Sequence, residues 1–473
     1  MAKDVSLAFP IGFGRGDAPS IALNGNGIAV GVHRVRSSLF WQAGPAVGGV
    51  WSPGKSERLG PGLSHSVAMN HHGTVVAACR ISGGNAPMRY WVGTTADSID
   101  HIAWGDMQPM GNGDKPQVAL NNHGVAVEIH QTSGMGRALW YSVGIVNPRN
   151  KTIGWGNHLP ARVDGLTPSI AINDSGLAVE VHLTSKVGSY TLFYRVGRIN
   201  SSARTIDWGS SLEYGTGIAP SVILTEDGFV VEAHESQGPR TLWRRIGQLD
   251  GNKRIINWHG NAVQYGDGQV PRIATNGNEV MQVQTNGHEM SYAISTIQDR
   301  AQWMQANLGL LGDRVLKQLV MPASHDAGMH MVQRCTGLVG GIGANACNTR
   351  TQTLSIAEQL NAGARYFDIR PVQEGATLYT GHFSDVRGKT VGCNGPTLAA
   401  VLNDVAAFAA GHKELIILKF SHYLVCSTGR GFDDARMRAL CKKVFDKLKP
   451  WLYVTTERLG TIPLSTYIGR KSV

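Results

Sequence analysis

The sequence has no stretch approaching 18 uninterrupted apolar residues; its most apolar run, TLAAVLNDVAAFAAG, is broken by Asn403 and Asp404, so no membrane-spanning helix is expected. It also lacks a charged N-terminal segment followed by an apolar core, which argues against a Sec-type signal peptide and leaves a cytoplasmic location or non-classical export. Cysteine is almost missing from the first 300 residues, where Cys79 stands alone, and no C-x2-C pair occurs, so no structural zinc site is expected. Charged residues make up 16% and aromatics 7%, against 42% apolar residues, a globular rather than disordered or fibrous balance.

What the sequence does have is glycine, 59 residues without a G-x-y period, and a formal net charge of +10. Glycine at that density asks for many turns. The charge admits nucleic acid, an anionic membrane surface or a phosphorylated substrate as partner.

Six segments align along the first 300 residues: APSIALN, SHSVAMN, KPQVALN, TPSIAIN, APSVILT and VPRIATN. Their second residues, Pro19, His65, Pro116, Pro168, Pro220 and Pro271, are spaced by 46, 51, 52, 52 and 51. A tryptophan ladder (Trp51, Trp104, Trp155, Trp208, Trp258) and an aromatic ladder (LFWQAG, RYWVG, LWYSVG, LFYRVG, LWRRIG) keep the same step. Each unit holds four runs of alternating apolar residues separated by Asn, Asp and Gly turns, the pattern of antiparallel hairpins. Four strands in about 50 residues, repeated six times, predict a six-bladed β-propeller over residues 1–298, with a stacked solenoid or trefoil-like array as the alternative.

The third run carries Glu128 with His130, Glu180 with His182 and Glu232 with His234. Residues i and i+2 share one face of a strand, so each pair either lines a repeated ligand pocket, as in sugar-binding propellers, or forms a buried polar rung between blades. The second is the expected role, and the aromatic ladders are likewise expected to be core. The N-x-S/T triplets at Asn150, Asn173 and Asn200 are short enough to arise by chance.

After Gln302 the texture changes to alternating strand and helix, which predicts a parallel sheet with helices around it over residues 303–473. Expected elements are a strand at 319–322, a helix at 355–362, a strand at 366–369, a helix at 397–410 and a strand at 415–420. Reactive groups stand at the expected strand ends: His325 and Asp326 after LVMPAS, Asp368 and Arg370 in RYFDIR, His382 in LYTGHF, and Lys419 in ELIILKF. Two histidines, two carboxylates and two cations suit phosphoryl transfer, one histidine taking a proton and the other giving one while the cations hold phosphate charge.

The order MPASHDAGM, SIAEQLNAGARYFDIRP, LYTGH and ELIILKF resembles the X region of phosphatidylinositol-specific phospholipase C. That resemblance implies a distorted TIM barrel cleaving the glycerol-side phosphodiester of an inositol lipid to diacylglycerol and a cyclic inositol phosphate. His325 is then the general base, His382 the general acid, and Asp326 its charge partner. Calcium-dependent members carry carboxylates in the second strand and a later glutamate, whereas this sequence has Asp368, Arg370 and Ser421 there. The resemblance is therefore to the metal-independent bacterial type, and no metal or other cofactor is expected. Bacterial members also orient the base histidine with a carboxylate from the second half of the barrel, and about 170 residues fall short of the ~250 of a full barrel. A truncated product, completion by another chain and a reduced fold all remain open.

Five cysteines crowd this region, with Cys335–Cys347 and Cys393–Cys426 as possible disulfides. From residue 303 onward 20 Lys and Arg face 12 Asp and Glu, so most of the positive excess lies beside the phosphate chemistry. An anionic inositol phospholipid at a membrane surface is the expected partner rather than nucleic acid, with a glycan or protein ligand possible for the propeller. A lectin-like propeller with an inactive second domain is the alternative function.

Overall fold

The computed structural model describes residues 3–6, 8–95, 100–134, 137–238, 240–336, 343–470 and 473, without side-chain detail at 310, 469 and 470. The chain divides into two compact units, Val5–Ile297 and Met1–Asp4 with Gln298–Val473. No helix among the described residues is long and apolar enough to cross a membrane.

The first unit is a six-bladed β-propeller. Blade five shows the plan: strands Ile218–Leu224, Phe229–Glu235 and Thr241–Asp250 pair antiparallel in that order, and two short strands, Ile255–Trp258 and Val263–Asp267, share the outer edge of the third. The expected fourth strand is thus split in two. Strand Leu159–Ile172 leaves the edge of blade three and becomes the inner strand of blade four, joining both blades in one sheet. Blade six takes its edge from the N-terminus, where Ile11–Arg15 pairs with the strand Glu289–Asp299 and closes the ring.

The repeated heptad explains itself in this frame. Its alternating apolar residues, Ile21, Val67, Val118, Ile170, Val222 and Ile273 among them, line one central channel from all six inner strands. Its serine bonds the next blade: the Oγ atoms of Ser20, Ser66, Ser169 and Ser221 accept from the backbone N–H of Val67, Val118, Val222 and Ile273. Its asparagine both closes the following turn and reaches the neighbouring blade, as Asn121 does by accepting from Val125 N–H and donating to the Asn173 carbonyl. Asn173 of the N-D-S triplet is buried in the same role, whereas Asn150 and Asn200 are exposed.

The aromatic ladders are the seams between blades. Tyr141 Oη lies 3.2–3.3 Å from the Ile206 N–H and carbonyl in the next blade, and its ring meets Trp208 edge-on; Tyr90 with Trp155 and Tyr292 with Trp51 repeat this. The Glu–His pairs are buried rungs: His130 Nδ1 lies 2.9 Å from Glu128, His182 Nδ1 2.9 Å from Glu180 and His234 Nδ1 2.9 Å from Glu232. Gly113, Gly165 and Gly217 face these rings so closely that a Cβ would run into the imidazole.

The second unit differs from a simple alternation. Three short strands, Ala323–Ser324, Tyr366–Ile369 and Ile417–Phe420, form a parallel sheet. It packs on helices Ile356–Asn361 and Leu398–Gly411, capped by Ser355 and Thr397 at the boundaries their sequence predicts. The segment 319–322 is not a strand; its pairing begins at Ala323. LYTGHF is not a fourth parallel strand either: Thr377–Val386 lies in a separate five-stranded sheet, antiparallel to Pro371–Glu374 and Lys389–Thr397. The glycine-rich turns on both sides of it favour hairpins over a crossover helix. Among the described residues the parallel sheet has three strands and does not close into a barrel. Helix Asp434–Leu448 completes the core on Leu440 and Leu448.

Cys335 pairs with Cys393, not with Cys347, and Cys347 and Cys426 are free thiols. Strand register decides this: Arg334–Cys335 lies beside Lys389–Thr397 with Cys335 directly opposite Cys393, a relation that sequence spacing does not display.

Candidate active site

The S-H-D segment leaves strand Ala323–Ser324 through a backbone kink, with Asp326 at φ +47°. That conformation is held from several sides. Ala327 N–H donates to the Asp368 carbonyl, Gln352 Nε2 to the His325 carbonyl at 2.7 Å, and Gln359 Nε2 to the Ala327 carbonyl at 2.8 Å. Gly328 must be glycine, because a Cβ there would strike the Thr380 side chain.

Within the Q-L-x-x-G-x-R-x-x-D-x-R box the residues divide by task. Gln359 positions the histidine loop, and Arg365 is wholly buried, bonding Glu414 Oε2 at 3.0 Å and the carbonyls of Leu360, Ala364, Arg300 and Ala301. Burial raises the Glu414 pKa above the ordinary carboxylate range in spite of bonds from Gln305, Arg365 and Met304, so this pair is scaffolding that carries a desolvation cost. Asp368 and Arg370 face the other way, towards His325.

Asp326 is the hub. Its carboxylate has no side-chain exposure and forms an ion pair with Arg370 Nε, while one oxygen, Oδ2, lies 3.6 Å from His325 Nε2 and 3.8 Å from His382 Nε2. His325 is 72% exposed, so the buried carboxylate is reached from solvent through an accessible imidazole. His382 comes from the separate antiparallel sheet. The glycine of its G-H box, Gly381, is needed because a Cβ would meet Val372 and Phe383.

The two histidines differ in their nearest neighbours. His325 Nδ1 lies 3.4 Å from Asp368 Oδ2, whereas its Nε2 lies 3.3 Å from Arg370 Nη2, a group that can only donate. Nδ1 therefore carries a hydrogen, and the nearest partner of Nε2 is the donor-only guanidinium, with Asp326 Oδ2 farther off at 3.6 Å. His382 Nδ1 lies 3.2 Å from the Thr349 carbonyl, which can only accept, and its Nε2 faces the Asp326 carboxylate. Both nitrogens of His382 thus face acceptors, an arrangement suited to donating a proton.

Ser421 and its neighbour His422, to which the sequence reading gives no part in the chemistry, complete the site. Ser421 Oγ donates to Asp368 Oδ1 at 2.6 Å and lies 3.0 Å from His422 Nδ1. Burial pushes the Asp368 pKa up, but the Ser421 hydrogen bond and the charges of Arg370, Lys419 and His325 more than offset it, so the carboxyl titrates below its ordinary range. Lys419 is exposed and stands opposite Asp368 in the parallel register, so it joins the site through its charge. Only the adjacency of strands Tyr366–Ile369 and Ile417–Phe420 makes Ser421 recognisable.

Ligand atoms of His325, Asp326 and Asp368 lie within 4.8 Å of one another, close enough to hold a cation. Arg370 already brings a fixed positive charge to the same carboxylates, its Nε paired with Asp326 and 3.5 Å from Asp368 Oδ2.

No protein-family model matches the chain. A PI-PLC X-box domain-containing protein of Dictyostelium discoideum is 30% identical over 134 residues, 26% of this chain and 17% of that protein, so the chain spans under a fifth of the relative's length. Solved structures similar over much of the chain include an α-L-arabinofuranosidase of Fusarium graminearum (10% identity, 62% of this chain and 98% of that one, TM-score 0.44). A Penicillium chrysogenum α-L-arabinanase (12%, 62% and 98%, TM-score 0.43) and the PQQ-bound aldose sugar dehydrogenase of Streptomyces coelicolor (13%, 63% and 99%, TM-score 0.42) are similar to a like extent.

Proposed function

We propose that the second unit is a phosphodiesterase of the phosphatidylinositol-specific phospholipase C kind, with the propeller as its binding module. One observation carries this reading: two histidines, one with the Arg370 guanidinium nearest its Nε2 and the other beside a carbonyl and a carboxylate, converge on one buried, arginine-paired carboxylate. His325 Nε2 takes the proton from the inositol 2-hydroxyl, whose oxygen attacks phosphorus. His382 gives its Nε2 proton to the departing glycerol oxygen, so that diacylglycerol leaves and a cyclic inositol phosphate remains. Arg370 and Lys419 hold the charge that grows on the phosphate oxygens. Asp326 fixes Arg370 and His382, and Asp368 orients His325, the task that bacterial members of the resembling family give to a later carboxylate. The three-stranded sheet corresponds on this reading to the first part of a TIM barrel, and the substrate meets the protein at an anionic membrane surface. The guanidinium supplies the charge a metal would otherwise bring, so turnover needs no cofactor.

The test is release of diacylglycerol from phosphatidylinositol vesicles by the full chain in the presence of a chelator. Turnover that survives chelation and disappears in both His325→Ala and His382→Ala is expected. Full activity in either variant, or activity that returns only on adding calcium, would overturn the role assignment.

A further inference from the structure

The three Glu–His rungs of the propeller are not equivalent. In blade three the ring of His130 is covered: His158 Nε2 lies 3.1 Å from His130 Nε2, the two rings are 4.7 Å apart, and His158 also packs edge-on against Trp140. His158 stands two residues before Pro160, the partner of Trp140 across the strands. In blade five the partner of Trp243 is Gln264, and two residues before it stands Ala262. Where blade three has an imidazole, blade five has a methyl group, and a cavity of about 570 Å3 opens over His234.

That cavity has a constructed polar wall. His234 is 4% exposed, its Nδ1 donates to Glu232, and its Nε2 makes no hydrogen bond among the described residues while lining the cavity. With Nδ1 carrying the hydrogen, Nε2 offers a lone pair. A hydrogen-bond relay lines the same cavity: Trp243 Nε1–H donates to Thr241 Oγ1 at 2.9 Å, Thr241 Oγ1–H donates to Ser236 Oγ at 2.9 Å, and Ser236 keeps its own hydroxyl hydrogen to give. The relay also fixes the indole plane of Trp243 in the cavity wall. The nearby cation is engaged elsewhere, since Arg245 donates to the Gly260 and Tyr214 carbonyls and lies 5.2 Å over the Trp258 ring.

We infer that this cavity is a binding site for a neutral pyranose sugar. An aromatic plane, one fixed acceptor and one fixed donor match the apolar C–H face and the hydroxyl edge of such a ring, and the volume lies within the range of small-molecule sites. The cation lining the cavity, Arg245, is already engaged with two carbonyls and an indole, and Glu232 behind His234 opposes an anion. Blade five therefore has a small residue at the place where blade three closes itself, and unlike blade four, where Ser211 holds that place and Phe193 stacks on His182, it adds an indole with a hydrogen-bond relay. The inference names a site and ligand class for the binding module proposed above, and it can fail while the phosphodiesterase reading stands.

The experiment is saturation-transfer difference NMR on the full chain with the methyl pyranosides of glucose, galactose, mannose and N-acetylglucosamine. At least one should show transfer, concentrated on ring C–H protons. Trp243→Ala should weaken that ligand by roughly tenfold or more, as removal of a central aromatic anchor does. Ala262→His, which copies the blade-three cap and leaves the rung intact, should abolish transfer without lowering the unfolding temperature. No transfer from any of the four, wild-type transfer in Ala262→His, or displacement of the sugar by excess inorganic phosphate would each overturn the inference.

Discussion

Histidine–carboxylate pairs occur in both units, and their surroundings separate structure from chemistry. In the three propeller rungs each carboxylate serves the histidine two residues away on its own strand, and both members are buried. In the second unit a single buried carboxylate, Asp326, faces two histidines from two different sheets, and one of them is largely exposed. The lesson is that residue type and pairing distance do not mark a site. What marks it is a charged hub shared by groups that different elements deliver, with one of them open to solvent.

The largest effect that can break this contrast is on turnover. His325→Ala and His382→Ala should each lower diacylglycerol release by about 10²-fold or more, the contribution of a positioned acid or base. Their urea midpoints should stay close to wild type, because one ring is exposed and the other bonds a single carbonyl. Glu180→Ala should do the reverse. It strands His182 and Arg195 in the core and should cost about 3–5 kcal/mol in urea unfolding, with turnover per folded molecule unchanged. A turnover loss in Glu180→Ala with stability intact would erase the distinction.

Next in size is the disulfide. Cys335–Cys393 closes a loop with a sequence separation of 58, and chain-entropy arguments give about 4 kcal/mol for a loop of that length. Cys393 is also the cross-strand neighbour of His382. Cys335→Ser should therefore lower the unfolding midpoint and leave the propeller transition, followed by tryptophan fluorescence, in place. Loss of the propeller transition would show that the two units do not unfold separately.

The propeller was legible because its information is local and repeated. The Ser, Asn and Tyr do the same work in most of the units, and a period makes that visible without knowledge of the ring. The X-region resemblance likewise placed His325, Asp326, Asp368, Arg370 and His382 in one neighbourhood, which the structure brings together. Long-range register was not legible. The Cys335–Cys393 pair, the antiparallel placement of His382 and the Ser421–Asp368 bond each depend on which strand lies beside which. Helix starts fared better than pairings for the same reason: the expected starts at 355 and 397 fall on Ser355 and Thr397, which accept from N–H groups three residues away, a distance the sequence itself contains.

The smallest effect isolates what sharing a hub does to titration. Asp368 ionises below the usual carboxylate range because the Ser421 hydroxyl and three nearby positive charges outweigh its burial. Its ionised form therefore contributes stability that is fully present above the unfolded-state value of about 3.9 and is lost as pH falls through the lower folded-state value. Ser421→Ala removes the hydrogen bond that holds the pKa down, so the Asp368 carboxyl should titrate at higher pH in carbon-13 NMR. The acid limb of the stability curve for the second unit should then be smaller and level off at higher pH than in wild type, because its onset near the unfolded-state value does not move. The same variant should move the acidic limb of turnover in the same direction, because a protonated Asp368 no longer fixes the Nδ1 hydrogen of His325. An unmoved carboxyl would mean that the charges of Arg370, Lys419 and His325 alone hold Asp368 ionised, and the serine would then be only a neighbour.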